Sequence, residues 1–204
     1  MPSITFQSLT EKGFSLRPWL IAGVVLELLT FGACYFMFDD IGEVFRHSAR
    51  YSGRLSLFIY LFAFSYFALT FYDDRPEVVA NVKKLVTIFC VLHFINFSFL
   101  ATNVMMNDIE LIPYKLAGGF LGYLMILLYP FFIDRISNKK LHLIYFYYLG
   151  LVMVLTYVAR IKGEFEGVTP GPIHYFGAGV TLLAILVYSY IVFARPRPQV
   201  QGKD

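Results

Sequence analysis

The chain has 204 residues, of which 58% are hydrophobic and only 15% are charged, and its mean hydropathy is +0.63. A soluble globular protein of this length would be far less apolar, so the composition indicates an integral membrane protein. The net charge of +3 is modest, and no pattern in the chain supports a nucleic-acid partner.

Six apolar stretches are long enough to cross a bilayer. An α-helix needs roughly 20 apolar residues to span a hydrocarbon core of about 30 Å. The predicted spans are 19–38, 53–72, 85–104, 112–133, 141–159 and 174–194. The sequence therefore predicts an all-α, six-helix bundle that forms a single transmembrane domain over residues 1–204. The connections leave no room for a soluble nucleotide-binding or flavin-binding domain.

The distribution of basic residues predicts the orientation of these spans. The two ends of the chain and the loops after the second and fourth spans hold eleven Lys and Arg residues, whereas the opposite segments hold six. Cytoplasmic segments collect Lys and Arg, so we expect both termini to be cytoplasmic. The first span exceeds the apolar region of a cleaved signal peptide and is predicted to be a retained helix.

Two ionisable residues fall inside the spans at the same predicted depth. Glu27 lies eight residues into the first span and His93 lies eight residues into the third, each roughly 12 Å from the cytoplasmic boundary. An ionisable residue within a span indicates a functional site, so we predict that the two side chains form a pair. The pair would be a proton relay or a carboxylate that orients an imidazole; the alternative is a neutral Glu27 hydrogen-bonded to a neighbouring helix. Asn96 follows His93 at i+3 and shares its helix face.

A basic run precedes the second span. Arg46, Arg50 and Arg54 are four residues apart and His47 lies beside them, so a helix that begins early would align the arginines in one ridge at the outer rim. The ridge would either reach lipid headgroups or bind an anion, such as a lipid phosphate, a haem propionate or an acidic substrate. His174, before the sixth span on the same side, could share a ligand with His47.

Small residues open the fourth span. Gly118 and Gly122 form a GxxxG pair, which predicts close packing against another helix. The four histidines and two cysteines are scattered, so their spacing indicates no metal cluster.

Three stretches of the sequence resemble a known family. They are "RHSARYSGRLSLFIYLFAF", "KKLVTIFCVLHFINFSFL" and "GGFLGYLMILLYPFFIDRISNKKLHLIYFYYLGLVMVLTYVAR", which lie within residues 46–160. They resemble bacterial ferric-reductase-like transmembrane proteins. These are six-helix relatives of the haem-bearing core of ferric reductases, NADPH oxidases and the membrane subunit of the methionine sulfoxide reductase system.

The resemblance implies a haem b held between histidines of the third and fifth helices. It places His93 and His142 as ligands of the haem iron, with Glu27 and Asn96 beside the cofactor. The chain also departs from the family pattern, because Leu155 stands near the place of a second histidine on the fifth helix and Asn96 stands where relatives have one on the third. Along the helix axis, His142 is some 10 Å shallower than His93.

Two functions from different classes remain open at this point. The first is a haem b-linked membrane oxidoreductase or electron-transfer subunit in the bacterial cytoplasmic (inner) membrane. It would receive electrons from a partner protein, with a quinone as a further candidate cofactor. The second is a haem-free structural, lipid-binding or quinol-binding subunit of a membrane complex. Both would contact membrane lipids.

Overall fold

The computed structural model describes residues 15–111, 113–165 and 168–194, and within these ranges the chain is helical with no strand. Six long helices alternate in direction. They are α1 (Leu16–Met37), α2 (Ile41–Leu69), α3 (Pro76–Met106), α4 (Pro113–Phe132), α5 (Lys139–Ile161) and α6 (Pro172–Ser189). A 3-10 turn over Ile133–Arg135 follows α4, and a π-helical turn over Tyr190–Ala194 continues α6.

Each of the six helices is long and apolar enough to cross a membrane, which confirms the predicted all-α, multi-pass architecture. Because consecutive helices run in opposite directions, the described chain begins and ends at the same side of the bundle. We call this side the terminal face and the other side the opposite face.

Helix α2 begins much earlier than the hydropathy of its sequence predicts. It starts at Ile41 rather than at residue 53, which adds about three turns. The added turns are rich in polar side chains, which lower the mean hydropathy without weakening the helix. Asp40 caps this helix, since its side chain accepts a hydrogen bond of 2.9 Å from the backbone N–H of Glu43.

Helix α3 also begins early, at Pro76 instead of residue 85. Proline is favoured at the first helical position, because its missing N–H has no partner there in any case. With the π-helical turn counted in α6, the remaining helix ends differ from the predicted span ends by three residues or fewer.

Helix α2 is central to the bundle. It packs against α1, α3 and α6, while α4 packs against α3 and α5, and α5 packs against α6. The core contains large aromatic side chains with 0–1% exposure, namely Tyr60, Phe64, Phe89 and Phe146. The Tyr60 hydroxyl donates a hydrogen bond of 2.6 Å to the backbone carbonyl of Phe146, which satisfies the one polar atom of this aromatic layer.

Glycines allow close helix contacts at two places in this core. A Cβ at Gly150 would lie 2.7 Å from the Tyr60 hydroxyl, and a Cβ at Gly177 would overlap the ring of Tyr157. Gly122 faces α5, where an added Cβ would lie 3.6 Å from Leu149. This is an ordinary van der Waals contact, and a Cβ at Gly118 would meet only the Tyr148 hydroxyl, at 4.0 Å, so the structure does not show the close backbone approach predicted for this glycine pair.

At the terminal face, Lys139 holds the connection between α2 and α3. Its ammonium group donates a hydrogen bond of 2.7 Å to the backbone carbonyl of Phe71 and forms an ion pair with the Asp74 carboxylate, 2.6 Å away. In the same connection, hydrogen bonds from the Arg75 side chain hold the pKa of Asp73 below its ordinary value. These contacts place the start of α5 beside the end of α2.

Candidate functional site

His142 lies in the first turn of α5 and is 8% exposed. Its Nδ1 is 2.6 Å from the hydroxyl of Tyr129, and its Nε2 is 3.1 Å from the backbone carbonyl of Ile136. A carbonyl can only accept, so Nε2 carries a proton, and in the neutral ring Nδ1 accepts the Tyr129 hydroxyl. His142 therefore joins α4, the following connection and α5, and both of its ring nitrogens are occupied.

His93 lies on α3 and faces α4. Its ring stacks on Tyr123 with centroids 4.7 Å apart and contacts Phe89 at 5.2 Å. Its Nδ1 is buried and has no hydrogen-bond partner among the described residues. This unpartnered nitrogen is what leaves His93 available to a ligand.

Glu27 and His93 do not form the predicted pair. Both carboxylate oxygens of Glu27 lack a hydrogen-bond partner, and its carboxyl group instead faces the hydroxyl of Ser52 on α2. On α3, Leu92 rather than His93 packs against α1 near this level, since its Cδ1 lies 2.9 Å from a Cβ built on Gly23. Position in the sequence gives the depth of a residue along the helix axis, but the helix that its side chain faces depends on how the bundle packs.

Asn96 binds the backbone of α2. Its amide N–H donates a hydrogen bond of 2.8 Å to the carbonyl of Ala49, and it packs beside Gly53. Asn96 is thus turned toward α2, whereas His93 is turned toward α4, although the two residues are only three positions apart. The predicted common polar face is divided between two interfaces.

The arrangement of His93 and His142 does not fit a pair of axial ligands to one haem iron. Both nitrogens of His142 are already hydrogen-bonded, and the ring of its partner Tyr129 on α4 stacks on Tyr145 of α5 with centroids 3.7 Å apart. Leu155, at the place of the missing family histidine, is 57% exposed and points out of the bundle. Haem binding stays a prediction.

The arginine ridge forms as predicted for an early helix start, because α2 covers all of its residues. The start of the ridge has partners of its own. Arg46 forms an ion pair with Glu43 and donates a hydrogen bond of 3.0 Å to Asn107 at the end of α3. His47 stacks on Phe38 with centroids 4.1 Å apart and lies 3.7 Å from the Glu43 carboxylate. These two residues hold the ends of α1, α2 and α3 together.

The rest of the ridge meets a third arginine from α5. We call Arg50, Arg54 and Arg160 the basic cluster, because Arg160 lies within electrostatic range of both other guanidinium groups. The Nε of Arg160 is buried and has no hydrogen-bond partner, and its guanidinium carbon lies 5.9 Å from the ring centres of Tyr157 and Phe165. The Arg54 guanidinium lies 4.9 Å over the ring of Tyr51.

Carboxylates near the basic cluster are engaged by other cations. Glu43 pairs with Arg46 and His47, and it lies within range of Arg50. Glu164 lies 3.9 Å from Lys162. In the part of the chain that the structure describes, no ion pair involves Arg54 or Arg160. Arg54 and Arg160 therefore carry positive charge at the opposite face that no carboxylate of the described residues pairs with, and aromatic rings border both.

His174 lies near this cluster but not against His47. It is within electrostatic range of all three arginines, and its Nδ1 accepts a hydrogen bond of 3.1 Å from the backbone N–H of Gly171. His47 faces the end of α1 instead, so no direct contact joins the two histidines. Arg160 was absent from the predicted site, because its proximity to α2 depends on how α5 packs and not on a local sequence pattern.

Taken together, the six apolar helices define a multi-pass membrane protein with a basic cluster at one end. The chain matches no family model, no curated protein and no solved structure.

Proposed function

We propose that the protein binds an anionic headgroup at the basic cluster and serves as a haem-free, lipid-binding subunit of a membrane complex. The observation that carries this proposal is the buried, unpartnered Nε of Arg160 beside Arg50 and Arg54. A buried N–H without an acceptor is costly, and three neighbouring guanidinium groups repel each other. A bound anion removes both costs at once.

The chemistry of the cluster favours a phosphate or carboxylate group. Guanidinium groups present planar pairs of N–H donors that match the oxygens of these anions. The rings of Tyr157 and Phe165 border Arg160, and aromatic side chains of this kind lie preferentially at the boundary between headgroups and hydrocarbon. A lipid would thus place its phosphate among the arginines and its acyl chains against the exposed apolar surface of the helices.

The proposal is tested by lipid binding to the purified protein. Binding of fluorescent phosphatidylglycerol and of phosphatidylcholine is measured in detergent, with inorganic phosphate as competitor. We expect preference for the anionic lipid and a loss of about tenfold or more in Arg160→Gln, because a charge-assisted hydrogen bond contributes ~1.5–3 kcal/mol. Competition by phosphate at millimolar concentration would instead identify a free anion as the ligand.

Arg135→Gln is the matched control, since Arg135 is exposed at the terminal face. Arg54→Gln is a second variant, which keeps the test valid if Arg160→Gln unfolds. Equal binding of the two lipids, or equal losses in Arg160→Gln and Arg135→Gln, would contradict a specific site.

Haem-linked electron transfer is the second candidate, and the unpartnered Nδ1 of His93 is the observation that favours it. In that function a haem b would supply the redox chemistry, a partner protein of the bacterial cytoplasmic membrane would donate electrons, and a quinone is the further candidate cofactor. His93 would be one residue that holds the haem iron. His142 would hold it as well only if one of its two ring hydrogen bonds broke.

An absorption spectrum distinguishes the two functions. The protein is expressed with haem precursor in excess, purified, and measured oxidised and dithionite-reduced. A Soret band that is lost in His93→Ala would establish the redox function. A colourless, monodisperse protein would support the haem-free role.

A further inference from the structure

Five buried oxygen atoms on α1 and α2 lack a close hydrogen-bond partner, and the one interaction recorded among them joins Glu27 to Ser52. They are the two carboxylate oxygens of Glu27 on α1 and the hydroxyl oxygens of Ser48, Ser52 and Ser56 on α2. Glu27 is 1% exposed and each serine is 0% exposed. We call these four residues the hydroxyl seam.

The seam follows from the sequence spacing of α2. The serines are four residues apart, so they lie on one helix face, and Glu27 faces the middle one, Ser52. On α1, Gly23 lies one turn before Glu27 and lets that helix approach Leu92 of α3. The seam is therefore enclosed by α1, α2 and α3.

The seam serines behave differently from the other helical hydroxyl groups of this protein. Ser65, Thr87 and Thr156, for example, each donate to the carbonyl four residues earlier, at 2.6–2.8 Å. Ser48, Ser52 and Ser56 make no such bond. These three hydroxyl groups are therefore not used by the backbone of their own helix and can serve a ligand.

Positive charge inside the structure does not neutralise Glu27. Arg46 is paired with Glu43, and His47 lies against Phe38. On α3, His93 is turned toward Tyr123 of α4. The remaining arginines of α2, Arg50 and Arg54, interact with Arg160, and Cys34 is buried on α1 about two turns after Glu27.

Unsatisfied oxygens are expensive inside a membrane, since the bilayer core offers no water to replace a missing partner. An ionisable residue in such a place marks a functional site by default. Carboxylate and hydroxyl oxygens are also the ligands that small hard cations prefer. The seam thus combines an uncompensated carboxyl group with neutral oxygen ligands.

We propose that the hydroxyl seam is an intramembrane binding site for one small monovalent cation, either a proton or a sodium ion. Glu27 carries the compensating negative charge, and Ser52 supplies the nearest oxygen ligand. Ser48 and Ser56 extend the polar path by one turn on each side. The site is separate from the basic cluster and does not depend on the function proposed for it.

Infrared spectroscopy of the reconstituted protein tests this proposal directly. The carbonyl-stretch band of a protonated carboxylic acid is recorded as pH is varied, in H2O and D2O, with sodium or with choline as the only cation. The band is assigned to Glu27 by its loss in the isosteric variant Glu27→Gln. Glu77→Gln, at an exposed position in the first turn of α3, is the control that keeps the band.

Each outcome has a definite meaning. A Glu27 band that weakens with rising pH, equally in sodium and choline, establishes a proton site. A band that sodium suppresses at constant pH, while choline does not, establishes a sodium site. A band that responds to neither pH nor sodium would overturn the proposal, because Glu27 would then be a permanently neutral packing residue. Absence of the band at every pH would overturn it as well.

Discussion

At the residue scale, the hydrogen bond from Tyr129 to His142 is a direct test of the role of this histidine. Tyr129→Phe removes the hydroxyl group and leaves Nδ1 of a buried ring without a partner. We expect a loss of ~1–3 kcal/mol in the free energy of unfolding. The loss is measured as a lower Tm in detergent and a lower midpoint of denaturant unfolding.

Tyr148→Phe is the control for this variant. The Tyr148 hydroxyl donates a hydrogen bond of 2.9 Å to the backbone carbonyl of Gly118 in an exposed part of the bundle. Water or lipid headgroups can replace an exposed partner, so its loss should matter less. Equal destabilisation by the two variants would mean that His142 does not join α4 to α5.

Gly150 offers a second test at this scale. Gly150→Ala would place a methyl group 2.7 Å from the Tyr60 hydroxyl and 3.0 Å from Ile185. Because Tyr60 is fully buried and bonded to Phe146, it has little freedom to move. We expect destabilisation of ~1–3 kcal/mol, seen as a lower Tm.

Gly119→Ala is the matched control for Gly150→Ala, since an added Cβ there meets nothing within 4 Å. Alanine is the better helix former by ~0.5–1 kcal/mol, so this variant should be neutral or slightly more stable. A Gly150→Ala protein as stable as wild type would show that the aromatic core is looser than described.

The arginines and His142 show which parts of the site could be predicted from the sequence and which could not. Spacing alone predicted the ridge of Arg46, Arg50 and Arg54, because residues four apart share a helix face. The contribution of Arg160 could not be predicted, since it depends on contacts between α2 and α5. The resemblance to a haem-binding family led to the interpretation of His142 as a cofactor ligand. In the structure, its two ring nitrogens make hydrogen bonds to Tyr129 and to the backbone carbonyl of Ile136 instead.

At the element scale, the early start of α2 has a measurable consequence. Hydropathy predicted the apolar parts of all six helices, but it cannot detect helical turns rich in polar residues, such as residues 41–52. The Asp40 and Glu43 spacing is a capping signal that would have found this start. Backbone amides of the first turns of α2 should therefore be protected from hydrogen exchange, although they precede the apolar span.

Asp40→Ala tests the cap. It removes the acceptor for the Glu43 N–H and should cost ~0.5–2 kcal/mol of local helix stability. We expect faster deuterium uptake in the peptide that covers residues 41–48 and unchanged uptake in α5, measured by mass spectrometry. Asp39→Ala, one residue earlier and outside the cap, is the control. Equal uptake in the two variants would contradict the assigned helix start.

At the scale of the whole molecule, the basic cluster does not lie on the side that holds most of the Lys and Arg residues of the sequence. By sequence, the two ends of the chain and the loops after the second and fourth spans carry the larger share of Lys and Arg, yet the basic cluster lies at the opposite face. The positive-inside rule counts the short loops and span ends together, so the larger share decides the orientation. The basic cluster would then face away from the cytoplasm, where soluble cytoplasmic anions cannot reach it.

This orientation is tested with reporters fused after residue 204. A green fluorescent protein there should be fluorescent, and alkaline phosphatase there should be inactive, because the first matures in the cytoplasm and the second only outside it. Insertion of the same reporters between α5 and α6 should reverse both signals. The reverse result at the two positions would place the basic cluster at the cytoplasmic side. Its anionic ligand would then be a lipid of the inner leaflet, and the eleven basic residues would be an exception to the rule.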